Sequence, residues 1–220
     1  VVNGLVTVNA GGTLGGTGTI DNVIVNGGVL APGNSIGTLN VAGSLIFSAA
    51  SSYMVEISGT GSDLTQVAGA VTLGGATVVV VPSGTVTKQY TILTATGVGL
   101  IDTFNPVVTG VSSNLNPTLS YDTNNVYLNF ALNYGGGLNV NQQNVANALT
   151  NFFNTTGGLP VGFASLSPAG LTQVSGELAT GSQTGVRHGF GCSDLAIGQI
   201  DTDSPLEIAI AGNPTGGYVL

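Results

Sequence analysis

Histidine and cysteine are the side chains that most often carry catalysis or hold metals, and this 220-residue chain has one of each, His188 and Cys192. No His- or Cys-rich ligand set can be drawn from them, and a Cys192 nucleophile would have only His188 as base, four residues away in a glycine-rich stretch. A Ser-His-Asp arrangement would rest on the same His188. Both residues read as incidental.

Carboxylate pairs would be the next source of chemistry, as in glycoside hydrolysis. Asp21, Glu56, Asp63, Asp102 and Asp122 are scattered, do not repeat on one strand face and lack aromatics at sugar-platform spacing. They read as turn or solvated residues. A lyase acting on acidic polysaccharide would need clustered Lys, Arg and calcium-binding Asp, and no such cluster exists. "GGTGTID" approaches the calcium repeat G-G-x-G-x-D-x-U with Gly15, Gly16 and Gly18, but Ile20 stands where the ligand Asp belongs and the motif does not recur. It also fails as a dinucleotide loop, because Asp21 replaces the third glycine. "DTDSPLE" (Asp201, Asp203, Glu207) reads as a solvated acidic loop rather than a cation site. Tyr53, Tyr90, Tyr121, Tyr127, Phe47 and Phe130 gather in one region. They form either a carbohydrate platform or, the commoner use of aromatics at strand spacing, core packing. Core packing predicts that Tyr121→Ala or Phe130→Ala costs several kcal/mol. The expectation is therefore no enzyme: no catalytic, metal-binding or cofactor-binding residue is assigned, and no cofactor.

Charge narrows the partners. Ten acidic residues against Lys88 and Arg187 give a net charge of −8, and two cations cannot track a phosphate backbone or an anionic membrane. Nucleic acid is not an expected partner. Charged residues make up 5% of the chain while 42% is hydrophobic, so the surface must be Thr, Ser, Asn, Gln and Gly over a real core. A single cysteine excludes an internal disulfide and fits an exported chain as well as a cytosolic one. "VVNGLVTVNAGG" has neither the basic n-region nor the long apolar h-region of a signal peptide and starts in mid-pattern. "ATVVVVP" is too short to span a bilayer.

The elements that would carry any site are strands. Residues 1–47 show short bursts of alternating apolar residues, separated by Asn3-Gly4, Gly11-Gly12, Gly15-Gly16, Asn26-Gly27-Gly28 and Gly33-Asn34. Leu14, Leu30 and Leu45 lie 16 and 15 residues apart, and Leu5-Val6, Val23-Ile24 and Leu39 are separated by similar steps. Short strands at a fixed pitch predict a solenoid whose inward side chains stack in an aliphatic column. From Ser48 the runs lengthen, through "TQVAGAVTLGGATVVVV" to "PTLSYDTNNVYLNFAL", where Asp122–Asn125 reads as a hairpin turn and the region as a solenoid cap. After "NYGGG", Val145, Leu149 and Phe152 or Phe153 predict a helix from Asn139 or Asn141, and Ser167, Pro168, Leu171, Val174 and Leu178 predict a second over 167–179.

"LAPGNSIGTLNVAGSLIF", "YMVEI", "DLTQVAGAVTLGGATVVVVP", "YTILTATG" and "LSYDTNNVYLNF" resemble the C-terminal part of a bacterial autotransporter passenger. The "PGNSIGTLNV" signature of its β-helix and autochaperone cap stands out. "NVNQQNVANAL" and "LSPAGLTQVSGELATGSQTGV" resemble the linker into the translocator barrel, and the likeness covers about residues 11–187. The resemblance implies an all-β fold, a right-handed parallel β-helix with a hairpin-rich autochaperone cap and a short helical C-terminal segment. It implies coils over 1–47, β-helix continuation and cap over 48–133, and a helical linker over 134–187. After Arg187-His188-Gly189-Phe190 the barrel's alternating strands are missing. Residues 188–220 read as an atypical tail: native, truncated, disordered or frameshifted. The function implied is a non-enzymatic stalk and folding cap, exported through the periplasm and outer membrane of a Gram-negative bacterium to the surface or medium. Its partners would be an outer-membrane translocator barrel and its assembly machinery. The alternative is an adhesin that binds host glycans or self-associates between cells.

Overall fold

A computed structural model describes residues 2–176. Arg187, His188, Cys192, Asp201, Asp203, Glu207, the end of the second predicted helix and the tail 188–220 lie outside the described residues. The chain divides into two compact units, Val1–Gly137 with Ala146–Leu166, and Leu138–Val145 with Ser167–Leu220.

The first unit is a β-solenoid. Its strands are β1 (Val6–Asn9), β2 (Thr13–Gly16), β3 (Thr19–Ile20), β4 (Val23–Asn26), β5 (Val29–Pro32), β6 (Thr38–Val41), β7 (Leu45–Phe47), β8 (Ser52–Gly59), β9 (Gly61–Ser62), β10 (Leu64–Val67), β11 (Ala70–Thr72), β12 (Thr77–Thr87), β13 (Gln89–Ala95), β14 (Gly99–Ile101), β15 (Leu115–Tyr121) and β16 (Asn125–Leu132). Successive strands visit three sheets in turn. One is the parallel stack β1-β4-β7-β11-β14; another stacks β2, β5, β8 and β12 in parallel; the last stacks β3, β6, β10 and β13. Each residue thus sits above its equivalent in the coil before. Ile20, Val41, Val67 and Ala95 form one buried inward column, and Val8, Val25 and Phe47 another. Each Val, Ile or Phe side chain of these columns taken fully from water contributes about 1.5–3 kcal/mol.

Leu14 and Leu30 pair in register, as their spacing predicts. Leu45 does not continue that column: it belongs to another sheet, and Tyr53 stacks on Leu30 instead. The coils lengthen, since Val6, Val23, Leu45, Val71 and Leu100 stack in one sheet at separations of 17, 22, 26 and 29 residues. Extra residues at a corner cost little closure entropy, so the stack keeps its register while the pitch drifts. "TQVAGAVTLGGATVVVV" is accordingly not one long strand but β10, β11 and the start of β12, one in each sheet.

Beyond β13 the direction of pairing changes. The predicted hairpin forms as β15 and β16, and β16 pairs antiparallel with β13. Residues 105–109 run beside β12, with Asn105 N donating to Ala76 O, Thr109 N to Val78 O and Val80 N to Thr109 O. Further along β12, Thr85–Thr87 pair antiparallel with β17 (Gly158–Pro160). In β14, Leu100 N donates to Thr123 O.

Helix α1 (Val140–Thr156) follows a reciprocal cap in which Gln142 N donates to Asn139 Oδ1 (2.8 Å) and Asn139 N to Gln142 Oε1 (2.9 Å). Val145, Ala146, Leu149 and Phe153 are its buried positions; Phe152 is half-buried. In the first unit α1 leads to β17 and the short α2 (Val161–Ala164). In the second, α3 (Pro168–Val174) starts as predicted, with Ser167 Oγ accepting from Gly170 N, but ends at Val174 rather than continuing to 179.

Candidate functional site

The loop that carries "PGNSIG" has a structural partner one coil later. Pro32 ends β5, Gly33 turns at φ +89°, and Ser35 holds the left-handed conformation at φ +87°, which an ordinary side chain adopts only where its surroundings hold it. The loop closes on the carboxylate of Asp63, which is 1% exposed. Gly37 N donates to Asp63 Oδ1 at 2.9 Å and Glu56 N to Asp63 Oδ2 at 2.9 Å, while Asp63 N donates to Glu56 O. A Cβ on Gly33 would lie 2.2 Å from Ser35 O and 2.4 Å from Asp63 Oδ1, so only glycine fits there. Burial pushes the Asp63 carboxyl above the ordinary carboxylate range; the two donated N–H bonds work against this and the charge of Glu56 adds to it. A surface hollow of about 200 Å³ opens beside the loop, lined by Pro32, Asn34, Ser35, Met54, Glu56 and Asp63 among others.

The sequence reading of Asp63 as a turn or solvated residue is corrected here, because a carboxylate with both oxygens bound to backbone N–H groups is an anchor. Nothing local to Asp63 signals this: its partners lie 7 and 26 residues away.

The core-packing reading holds for four of the six aromatics, Phe47, Tyr53, Tyr90 and Phe130. Phe47, Tyr53 and Phe104 form a buried cluster, with ring centroids 5.5–5.8 Å apart and the Tyr53 and Phe104 rings stacked. The Tyr53 hydroxyl donates to Ile92 O and lies 3.0 Å from Thr65 Oγ1, so it ties β8 to β10 and β13 through the interior. Burial raises its pKa. Tyr90 packs edge-on against Phe130 at 6.1 Å and donates to Gly59 O. These four sequence candidates are core, not a sugar platform, and Phe104, which sequence reasoning missed, completes the larger cluster. Tyr121 is half-buried and accepts from Phe104 N. Tyr127 alone lies on the outer side, its hydroxyl donating to Asp122 Oδ2 at 2.7 Å.

Asp122 sits in the hairpin turn and accepts from Asn124 N, Asn125 N and Asn125 Nδ2. Hydrogen bonds from Asn125 and Tyr127 hold its carboxyl well below the usual range. Asp102 is an exposed residue at φ +63°, and Asp21 and Glu56 are half-buried; of the five carboxylates the structure brings Glu56 and Asp63 together, at the hollow, and leaves Asp21, Asp102 and Asp122 apart from them. Among the described residues no group of three or more His, Cys, Asp or Glu stands ready to hold a metal. Gly15, Gly16 and Ile20 of "GGTGTID" belong to β2 and β3. Comparison with the known protein families gives no match, and comparison with curated proteins gives none either.

Proposed function

We propose that the chain is a non-enzymatic structural module of the autotransporter passenger type. It is a right-handed β-helical stalk, closed by an autochaperone-like cap, that supports a secreted or surface-exposed passenger. The single observation that carries the reading is how the stack ends: the last parallel strand of every sheet is met by a later segment. β13 is met by β16, β12 by residues 105–109 and β17, and β14 by the turn at Thr123. An unprotected parallel edge is a template for aggregation, and a folding nucleus at that end would give the emerging coils something to stack on. The right-handed sense is the one parallel strands joined by crossovers adopt in about 98% of cases. The clasp of "PGNSIG" on Asp63 gives the sequence signature a structural reason, since it locks one coil to the next.

The partners in this reading are an outer-membrane translocator barrel and its assembly machinery, and the place is the surface of a Gram-negative cell. The test is deletion of residues 115–132 from a parent protein that carries its barrel. Surface display of protease-resistant passenger is expected to fall severalfold. Undiminished display of a resistant passenger overturns the folding role.

A further inference from the structure

The outer face of the sheet that runs from β3 to β15 differs from what an inert scaffold needs. A single row crosses it from β3 to β16, one residue on each of the five strands: Thr19, Asn40, Gln66, Thr94 and Asn125. All five end in hydroxyl or amide groups, which offer donors and acceptors at the strand spacing of about 4.8 Å. Beside the row, Thr91, Tyr127 and Ser120 form a second line across β13, β16 and β15, and Gln89, Asn129 and Thr118 a third. Tyr127 points away from the core, since its strand neighbours Val126 and Leu128 are fully buried on the opposite side.

The polar groups around that ring are already set. Tyr127 is tethered to Asp122, whose carboxylate is itself held by the turn. Gln89 Nε2 donates to Asn129 Oδ1 (2.7 Å), Asn129 Nδ2 to Ser120 Oγ (2.9 Å) and Thr94 Oγ1 to Asn125 Oδ1 (2.8 Å). Side chains ordered before a ligand arrives lose little further entropy when it binds. Asp122 is the only charged residue among those of the three lines and the turn, so the face repels polyanions and offers them no cation.

We propose that this face binds an extended neutral oligosaccharide. Tyr127 is the platform on which a sugar ring lies, and Asn40, Gln66, Thr94 and Asn125 are the track that hydrogen-bonds its hydroxyls. The site does not depend on the stalk reading, and it gives the module a ligand of its own.

The experiment is calorimetric titration of the full chain with cellohexaose, chitohexaose and maltohexaose, and with hexagalacturonate as the charged counterpart. At least one neutral sugar binds and the galacturonate does not. Tyr127→Ala weakens binding about tenfold or more, the equivalent of ~1.4 kcal/mol. Tyr127→Phe keeps the ring, loses the tether and falls in between. Gln66→Ala, on an exposed strand position remote from the turn, weakens binding about fivefold. It decides the matter if Tyr127→Ala alters the far-ultraviolet circular dichroism. Binding of none of the neutral sugars, binding of the galacturonate alone, or neutral-sugar binding untouched by folded variants at both positions overturns the proposal.

Discussion

The same three-sided circuit is drawn early and late in the stack with different materials. The first circuit uses strands of 4, 4 and 2 residues and buries Val8 and Ile20. The fourth uses strands of 3, 11 and 7 residues and buries Val71, Val78, Val80, Val86, Tyr90, Ile92, Leu93 and Ala95. Between them lies the Asp63 clasp, and Phe104, from beyond the fourth circuit, joins Phe47 and Tyr53 of the third in one cluster. Early coils hold shape through glycine corners and ladder bonds, whereas late coils hold it through packed rings and buried polar ties. Opening should therefore start in the early coils, where few apolar contacts resist it.

Loss of a late ring should have the largest effect on stability. Tyr53→Ala is expected to cost about 3–5 kcal/mol, the range for large aromatic truncations in cores. It also strips the Thr65 hydroxyl of a partner. Urea unfolding followed by circular dichroism reads it, with Val8→Ala as the early-coil counterpart. Equal costs for the two would abolish the contrast. Phe130, 6% exposed, should behave like Tyr53, whereas half-buried Tyr121 should cost less, which separates two residues that sequence alone treats alike.

Asp63→Asn tests the seam between the regions. The amide keeps one acceptor for one backbone N–H and turns its own NH₂ toward the other, so a buried donor loses its partner, at about 1–3 kcal/mol. If the variant's unfolding midpoint at neutral pH equals that of the wild type, the clasp is incidental.

Local signals in the chain identify the elements more surely than their partners. Glycine steps and alternation mark β1 to β7, Asp122-Thr-Asn-Asn125 marks the hairpin, and Asn139 and Ser167 mark both helix starts, because each of these is decided within a few residues. Leu45 is assigned to the wrong column because a fixed pitch is assumed, and the corner between β5 and β6 takes in extra residues that no periodicity announces: Leu14 to Thr19 is 5 residues, whereas the equivalent step from Leu30 to Asn40 is 10. Asp63 looks like any turn carboxylate, since its burial depends on a loop 26 residues earlier. Phe104 lies outside regular strands and shows no alternation, yet it joins the largest aromatic cluster. The outer face of Tyr127 is legible only once the register of β13, β16 and β15 assigns its side of the sheet.

The pH response gives a smaller effect of defined sign. The folded pKa of Asp63 is raised above its unfolded value, so the folded chain binds that proton more tightly. Its contribution is complete below the ordinary carboxylate range and declines as pH rises through the raised folded value. Asp122, whose pKa is lowered, acts in the opposite sense, contributing above that range and losing its effect in acid. Comparing wild type with Asp63→Asn cancels Asp122. The stability advantage of the wild type should shrink as pH rises from about 4 toward neutral, on top of the constant cost of the lost acceptor. An advantage that grows with pH instead would reverse the assigned direction.

The smallest effect belongs to the early coils. Asn9 and Asn26 stack in register on the outer side of β1 and β4, with Asn26 Nδ2 donating to Asn9 Oδ1 at 3.4 Å. Both are exposed, and the bond is near the limit of useful length, so water replaces it at almost no cost. Asn26→Ala should shift stability by no more than about 0.5 kcal/mol. Amide exchange of Val8, next to Asn9 in β1, should accelerate only slightly. A loss above 1 kcal/mol would mean that the early coils also rely on side-chain ties, and the difference between early and late coils would then be one of strand length alone.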